Sequence, residues 1–461
     1  VLAGDAIRAA ADLGLPLTVV TLLYWNGYFS QRLDAQGSQR EQPVAWDPAA
    51  VLTELPARVS ITIEGRPVRL RAWRYDVAGA GGARIAVHLL DADVPENDAR
   101  DRELTHALYG GDARYRLCQE AILGIGGVRL LRALGYRRLR RYHLNEGHAA
   151  LLTLALLDEA AAADGRSAWS AEDLERVRSQ CVFTTHTPVP AGHDQFPVEL
   201  VRDVLDRPEI ETRGDLFCCE GMVNMTSLAL NLSHYVNGVA KKHGEVSRRM
   251  LASEEIDAIT NGVHVRTWAS APMQRVFDAY LAGWRQDSFV LRHAFGIPDA
   301  PIREAHLEAK RALLDAVARQ TGERFAPEAF TIGFARRATP YKRADLLLHD
   351  LDRLRRLAGP AGPLQVIYAG KAHPKDEGGK GLIRRVFEAR RELAGAVRLV
   401  YLEDYGLGLA KHLTAGVDLW LNTPLPPLEA SGTSGMKAAL NGVPSLSVLD
   451  GWWIEGHLEG L

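Results

Sequence analysis

The feature that most constrains the fold is a regular alternation of strand-like and helix-like runs in the C-terminal part of the chain. Each apolar strand-like run is separated from the next by a helix-like run. The strand-like runs are Phe330–Ala335, Leu364–Ala369, Val397–Leu402, Val417–Leu421 and Pro444–Leu449. This pattern is typical of βαβ units and predicts a parallel sheet, which right-handed crossovers would make doubly wound.

Polar and charged residues follow these runs at the point where each predicted strand ends. They are Arg336, Arg337, Tyr341, Lys342 and Arg343; then Gly370 and Lys371; then Glu403, Asp404 and Tyr405; then residues 423–437; then Asp450 and Gly451. Open α/β sheets bind ligands beyond the carboxyl ends of their strands. The basic run alone could be a solvated surface, but its place directly after a buried-looking strand favours an anion site. We therefore predict one phosphate-binding cleft.

The segment Glu429–Lys437 contains the chemistry expected of such a cleft. Its small residues allow backbone N–H groups to converge on an anion at the start of a helix, and Ser431 and Thr433 add hydroxyl donors. Lys437 would lie about one turn into that helix, within reach of an aldehyde cofactor with which it could form an imine. The alternative is a plain strand-to-helix turn with a surface lysine, because short glycine motifs also match by chance.

This segment, followed by Asn441-Gly442 and Leu449-Asp450-Gly451, resembles the pyridoxal-phosphate segment of the α-glucan (glycogen, starch, maltodextrin) phosphorylases, in its shorter bacterial version. The resemblance implies an α/β fold of the GT-B glycosyltransferase type, with two Rossmann-like domains facing a central cleft. It implies an N-terminal glucan-binding domain at residues 1–262 and a C-terminal cofactor- and phosphate-binding domain at 263–461. Because the family's sequence extends beyond both ends, we expect an internal, truncated fragment.

The resemblance also implies roles for single residues. Lys437 would hold pyridoxal 5′-phosphate as an imine, with Ser431, Gly432, Thr433, Ser434 and Tyr405 around the cofactor. Arg337 and Lys342 would hold the substrate phosphate, so that Lys437, Arg337 and Lys342 form the catalytic set. Glu429, His186 and Asn261 would bind the reacting glucose, and Asn145, Glu146 and His148 would line the substrate side.

The N-terminal part shows weaker local patterns. We predict a helix over Val1–Leu13, a strand over Leu17–Tyr24, a hairpin turning at Glu64-Gly65 and a helix over about Ala113–Leu134. We also predict that His143–His148 opens a helix and that Asn224–Asn237 forms another. The histidines near Glu146 could suggest a metal site, but they lack the i, i+4 spacing of a zinc motif, so no metal is predicted.

Composition excludes several classes of function. The 461 residues are 47% hydrophobic and 24% charged, as in soluble globular proteins. Lys plus Arg number 55 and Asp plus Glu 57, so no basic field favours nucleic acid or an anionic membrane. The four cysteines lack zinc-ligand spacing and fit a reducing cytoplasm.

The function implied by the resemblance is retaining phosphorolysis of an α-1,4-glucan or maltodextrin. Inorganic phosphate would remove the terminal glucose as α-D-glucose 1-phosphate, and a homo-oligomer is compatible with this reading. Two alternatives stay open at the level of sequence. One is a nucleotide-sugar glycosyltransferase of the same two-domain fold, and the other is a non-catalytic glucan-binding relative.

Overall fold

The computed structural model describes residues 2–189, 192–219, 221–251, 255–359 and 362–459. Pro190 and Ala191 lie outside these ranges. The strands are β1 (Thr18–Leu22), β2 (Ser30–Leu33), β3 (Gln39–Gln42), β4 (Thr53–Ile63), β5 (Arg66–Ala78), β6 (Arg84–Asp91), β7 (Tyr142–Asn145), β8 (Cys181–Thr184), β9 (Gln195–Pro197), β10 (Cys218–Cys219), β11 (Met222–Asn224), β12 (Tyr235–Gly238), β13 (Ile256–Ala258), β14 (Phe330–Ala335), β15 (Leu364–Ala369), β16 (Arg398–Leu402), β17 (Leu419–Asn422) and β18 (Ser445–Ser447).

Helices connect these strands. They are α1 (Leu2–Asp12), α2 (Ala99–Arg102), α3 (Ala113–Ala121), α4 (Gly127–Ala133), α5 (Leu152–Ala163), α6 (Ala171–Gln180), α7 (Val198–Leu205), α8 (Glu209–Thr212), α9 (Gly214–Phe217), α10 (Met225–Asn231), α11 (Lys241–Met250), α12 (Val265–Trp268), α13 (Ala271–Tyr280), α14 (Asp299–Thr321), α15 (Leu351–Ala358), α16 (Glu377–Glu392), α17 (Leu407–Gly416), α18 (Ser434–Ala439) and α19 (Trp453–Gly456). Between α3 and α4 the helix continues through a π-turn at Ile122–Gly126. The predicted helix over Ala113–Leu134 is therefore confirmed as one continuous helix with a π-bulge.

The C-terminal sheet confirms the predicted parallel arrangement. Its strand order is β16-β15-β14-β17-β18, and every neighbouring pair runs parallel. The chain winds outward from β14 through β15 and β16, then returns to the other side of β14 for β17 and β18. The order of the strands thus reverses between β14 and β17, and such a switch point opens a crevice at the carboxyl ends. The loops that follow β14 and β17 contain the basic run and the Glu429–Lys437 segment.

The N-terminal part contains a second parallel sheet, ordered β13-β12-β8-β7, whose strands also end at one common edge. A further sheet, ordered β1-β6-β5-β4, pairs β1 parallel to β6 and joins β4 to β5 through the predicted hairpin. That turn uses left-handed backbone at Glu64 and Gly65, with φ of 52° and 73°. The protein is therefore a mixed α/β structure with parallel sheets.

Two sequence predictions in this part are wrong. The first half of His143–His148 is not helical, because Tyr142–Asn145 forms β7, which pairs with β8 and buries Leu144; only Gly147–Ala149 forms a single 3-10 turn. Asn224–Asn237 is not one helix: α10 ends at Asn231, and the chain then enters β12. Both missed strands are four residues long, too short to show the period of two that marks a strand.

The apolar core is divided between the N-terminal and the C-terminal parts of the chain. The largest buried cluster draws on residues from Leu22 to Ile256, and three others draw on residues from Ala269 to Val443. The hairpin of β2 and β3 crosses between them, because Gln31 donates to the Gly370 carbonyl at 2.9 Å. Within the described ranges, no helix is both long and apolar enough to cross a membrane.

Candidate active site

The backbone of the Ser431–Ser434 loop is fixed by the segment that follows β18. Trp452 donates its backbone N–H to the Ser431 carbonyl and its indole N–H to the Gly432 carbonyl, both at 2.9 Å. Gly432 has φ of 87°, a conformation that favours glycine. Gly451 also requires its small size, since a Cβ there would lie 2.5 Å from the Ser431 carbonyl oxygen. Loop and segment therefore form one close-packed cradle.

The cradle has free hydrogen-bonding capacity suited to an anion. Among the described residues, the buried Ser431 hydroxyl has no hydrogen-bond partner. The first N–H groups of α18 lack acceptors within the helix, as at every helix start. The helix has only six residues, so these N–H groups would contribute more than its macrodipole. The Ser434 hydroxyl accepts a hydrogen bond of 3.2 Å from the Trp420 indole N–H and keeps its own proton for donation.

Lys437 is buried on α18, beside this cradle. Its side chain nitrogen lies 4.0 Å from the centroid of the Trp268 ring, and the residue is 7% exposed. Burial lowers the pKa of Lys437 to about 8, against the opposing charge of Asp5. Asn441 fixes the local backbone by donating to the carbonyls of Lys437 and Trp268 at 2.8 and 2.9 Å. A buried amine that loses its proton so readily can form an imine near neutral pH.

Glu429 forms a buried ion cluster with two cations from the loop after β14. Its carboxylate accepts from Arg336 at 2.8 Å and from Lys342, and all three residues are more than nine-tenths buried. Burial raises the pKa of Glu429, but Arg336 and Lys342 outweigh it, so the pKa falls below its usual value. Burial and the charge of Arg336 lower the pKa of Lys342 to about 7, although Glu429 opposes them.

The basic run thus divides into side chains with different surroundings. Arg336 and Lys342 point inward to Glu429, whereas Arg343 donates to the carbonyls of Thr423 and Pro424 at 2.9 and 2.7 Å and fixes the loop after β17. Arg337 is exposed. The Arg337 charge makes a minor contribution to the lowered pKa of Lys342.

Tyr405, after β16, lies at the base of this region. It packs against the buried cluster that contains Trp420 and Ala438. Burial raises the pKa of Tyr405 to about 12, and the charge of Arg336 opposes the shift. Its hydroxyl is therefore neutral at physiological pH and can act as a hydrogen-bond donor.

A second group of predicted residues meets at the carboxyl edge of the N-terminal parallel sheet. His186 follows β8, and its ring lies 2.5 Å from the Asn145 side chain oxygen at the end of β7. Glu146 accepts from the His186 backbone N–H at 2.8 Å and from the Thr187 hydroxyl at 3.0 Å. Glu146 has φ of 78°, an uncommon conformation for a residue other than glycine. These contacts hold it there, and such strain is frequent at functional sites.

His148 and Asn261, also predicted to bind the substrate, have surroundings different from those of Asn145, Glu146 and His186. Burial, with the charge of Arg116, lowers the pKa of His148 to about 4, so the ring is neutral at physiological pH. Asn261 follows β13 and donates its backbone N–H to the Val239 carbonyl at 3.0 Å. The adjacent Thr260 hydroxyl donates to Glu455 of α19 at 2.6 Å. This contact joins the Asn261 loop to the C-terminal part of the chain.

The structure adds residues that the sequence prediction left out of the site. Arg336 was placed in the basic run and Asn441 in the motif after Lys437, both without a role, and Trp268 and Asp5 were not identified. β14 is buried on both faces, so its apolar pattern gives no sign of which of the two following arginines turns inward. No local pattern could have brought Asp5 or Trp268 to Lys437, since these contacts join distant parts of the chain. Within the described ranges, no group of three or more potential metal ligands occurs.

Comparison with known proteins identifies the family. A family model described as carbohydrate phosphorylase matches residues 215–458. The chain is 40% identical to the maltodextrin phosphorylase of Thermococcus litoralis and 39% identical to the glycogen phosphorylase of Mycobacterium tuberculosis, in both cases over 99% of this chain and 58% of the relative. It is 35% identical to the glycogen phosphorylase of Aquifex aeolicus, over 99% of this chain and 71% of the relative.

The chain therefore spans less than two thirds of the length of the first two relatives. The family match includes the loops after β14 and β17, with the cradle, Lys437 and the Glu429 cluster. Because the family model matches more than half of the chain, and relatives of 35–40% identity match 99% of it, the chain belongs to the carbohydrate phosphorylase family.

Proposed function

We propose that this chain carries the active site of an α-glucan phosphorylase. In this reaction inorganic phosphate removes the terminal α-1,4-linked glucose of glycogen, starch or maltodextrin as α-D-glucose 1-phosphate, with retention of configuration. The names of the relatives support the substrate class. We further propose the GT-B arrangement, with residues 1–262 and 263–461 as two Rossmann-like domains facing the cleft. The cytoplasm is the compartment that we propose.

The proposed cofactor is pyridoxal 5′-phosphate, held on Lys437. When bound, this group supplies a phosphate monoester with a second pKa of about 6, which can exchange a proton with an adjacent substrate phosphate. The free Ser431 hydroxyl and the N–H groups after Gly432 would hold the cofactor phosphate, with Thr433 and Ser434 as neighbours in the loop. Tyr405 would close the base of the pocket. The fit rests on the unpartnered Ser431 hydroxyl and on the buried lysine.

Arg337 and Lys342 are the proposed ligands of the substrate phosphate. Arg337 is exposed near the cluster, and can turn its planar guanidinium to an incoming dianion. Lys342 is already bound to Glu429. A phosphate beside it would favour its charged form, since a nearby negative charge raises the pKa of an amine. Binding of phosphate would therefore recharge a lysine that burial has brought close to neutrality.

Glu429 is proposed as a ligand of sugar hydroxyls and not as a nucleophile. Two cations neutralise its carboxylate, and this reduces its tendency to attack an anomeric carbon. Its remaining lone pairs can accept hydrogen bonds from hydroxyl groups. His186 and Asn261 would orient the same glucose, with Asn145, Glu146 and His148 on the substrate side. Such positioning supplies much of the rate in a reaction whose transition state resembles an oxocarbenium ion.

The observation that carries this proposal is the buried, easily deprotonated Lys437 beside an anion cradle. The test is to load the protein with pyridoxal phosphate, add maltoheptaose and inorganic phosphate, and detect glucose 1-phosphate by ³¹P NMR. We expect product that requires both phosphate and cofactor. Lys437→Arg should abolish it, whereas the matched change at the exposed Lys411 should not.

Two other outcomes would contradict the proposal. Glucosyl transfer from a nucleotide sugar without phosphate or cofactor would indicate a nucleotide-sugar glycosyltransferase. Binding of maltoheptaose without any product, in a protein that is demonstrably folded and loaded, would indicate a non-catalytic glucan-binding relative.

A further inference from the structure

A buried carboxylate on the first helix lies beside the Lys437 site. Asp5 of α1 is 3% exposed. Its Oδ2 accepts a hydrogen bond of 2.8 Å from the Trp268 indole N–H. Its Oδ1 is buried and has no hydrogen-bond partner among the described residues. Because burial of a carboxylate is unfavourable without compensation, this arrangement requires a nearby positive charge.

Two cations are available to compensate Asp5. Arg8, one turn further along α1, lies 4.0 Å from Asp5 Oδ1, but its side chain is 40% exposed and water screens its charge. Lys437 is the buried candidate. Its nitrogen lies over the face of the same indole whose N–H binds Asp5. Trp268 therefore connects the carboxylate to the lysine, with its hydrogen-bonding edge towards one and its ring towards the other.

We propose that Asp5 is the counter-ion and positioning residue of Lys437, fixing the Trp268 ring beneath the lysine nitrogen and stabilising positive charge on that nitrogen. The role in cofactor binding rests on the proposed function, whereas the electrostatic pairing does not. Asp5 offsets part of the destabilisation that burial imposes on a charged lysine. It also holds Trp268 in one orientation, so the amine is presented to the cradle in a defined position.

The other charged groups near α1 do not serve the same purpose. Asp12, at the end of the helix, pairs with His264 at 2.9 Å and Arg266 at 3.2 Å. Within the described part of the chain, the charge of Asp5 raises the pKa of Lys437, against the larger effect of burial. Removing the Asp5 charge must therefore move the titration of Lys437 to lower pH.

The test measures the titration of Lys437 without any cofactor. Trace acetylation with acetic anhydride across pH 6–10, followed by peptide mass spectrometry, gives the midpoint at which this amine becomes reactive. Asp5→Asn keeps an oxygen that can accept from Trp268 but removes the charge. We expect the midpoint to fall by roughly one pH unit, so that acetylation of Lys437 below the midpoint becomes about tenfold faster.

Two further variants control the experiment. Asp12→Asn removes a carboxylate from the same helix and should leave the Lys437 midpoint unchanged. Trp268→Phe keeps a ring but loses the N–H donor, so it should lower the midpoint by a smaller amount, and it serves as the test if Asp5→Asn does not fold. An unchanged midpoint in folded Asp5→Asn, or an equal shift in Asp12→Asn, would overturn the proposal.

The same experiment separates this inference from the proposed function. Acetylation needs neither phosphate, glucan nor pyridoxal phosphate, so a shifted midpoint in a protein that never captures the cofactor would refute the function alone. Capture of cofactor on Lys437 with an identical midpoint in Asp5→Asn and in the unmodified protein would refute the pairing alone.

Discussion

Replacing Glu429 by glutamine tests whether the cluster at the switch point is a true buried ion cluster. Removing one partner of a buried pair destabilises a protein by about 3–5 kcal/mol, because the other charge is left uncompensated. Here Arg336 must stay charged, whereas Lys342 can release its proton, since its pKa is already about 7. We therefore expect Glu429→Gln to reduce the free energy of unfolding by about 3 kcal/mol, the lower end of this range. For a domain of this size, that loss lowers Tm by roughly 6–12 °C.

Scanning calorimetry at one scan rate measures this change. The matched control is Glu308→Gln, because Glu308 pairs with Arg275 at the surface, where the two side chains are 58% and 61% exposed. An exposed pair contributes less than about 1 kcal/mol, so the control should shift Tm by no more than a few degrees. A decrease for Glu429→Gln no larger than that of the control would refute the reasoning.

The difference in Tm between the unmodified protein and Glu429→Gln should also depend on pH. The folded-state pKa of Glu429 lies below its unfolded value. The stability that its charge contributes is therefore fully present above the unfolded pKa, and is lost as pH falls through the folded pKa. The Tm difference should be largest at neutral pH and should narrow in acid below about pH 4.5. A difference that widens in acid would contradict the assignment.

Three further experiments test other parts of the site. Gly451→Ala should lower Tm and weaken cofactor capture in a binding titration, since its Cβ would lie 2.5 Å from the Ser431 carbonyl oxygen; unchanged capture would contradict the cradle. Arg337→Gln should raise the KM for phosphate by roughly tenfold and leave Tm nearly unchanged. Arg343→Gln should lower Tm by several degrees, because it loses two hydrogen bonds to backbone carbonyls. The reverse pattern would show that Arg343 binds phosphate and that Arg337 stabilises the loop. Cofactor capture by Lys437 should become faster with rising pH, with a midpoint of about 8; a midpoint above 10 would show an exposed lysine.

The C-terminal sheet could be predicted from sequence because its strands are buried on both faces. Such strands form continuous apolar runs, as in Phe330–Ala335 and Leu364–Ala369, whose predicted bounds coincide with β14 and β15. The strands of the N-terminal parallel sheet are shorter, at three or four residues. Asn145 and Asn237 interrupt the apolar pattern there, so β7 and β12 could not be distinguished from helical sequence.

The site could be located from sequence, but its internal pairing could not. The position of the basic run after β14 and of the glycine-rich loop after β17 follows from the topology of a parallel sheet. Whether Arg336 or Arg337 turns inward depends on the twist and packing of that loop. The approach of Asp5 to Trp268 depends on how α1 packs against the C-terminal part. Local sequence carries no information about such contacts between distant segments.

The most direct measurement of the central claim is reductive trapping of the cofactor. The protein is incubated with pyridoxal 5′-phosphate, reduced with borohydride, digested and mapped by mass spectrometry. We predict one equivalent of label, confined to Lys437, and none there in Lys437→Arg. Absence of label in a folded protein, or label spread over exposed lysines such as Lys411, would contradict the assignment of Lys437 as the residue that holds the cofactor.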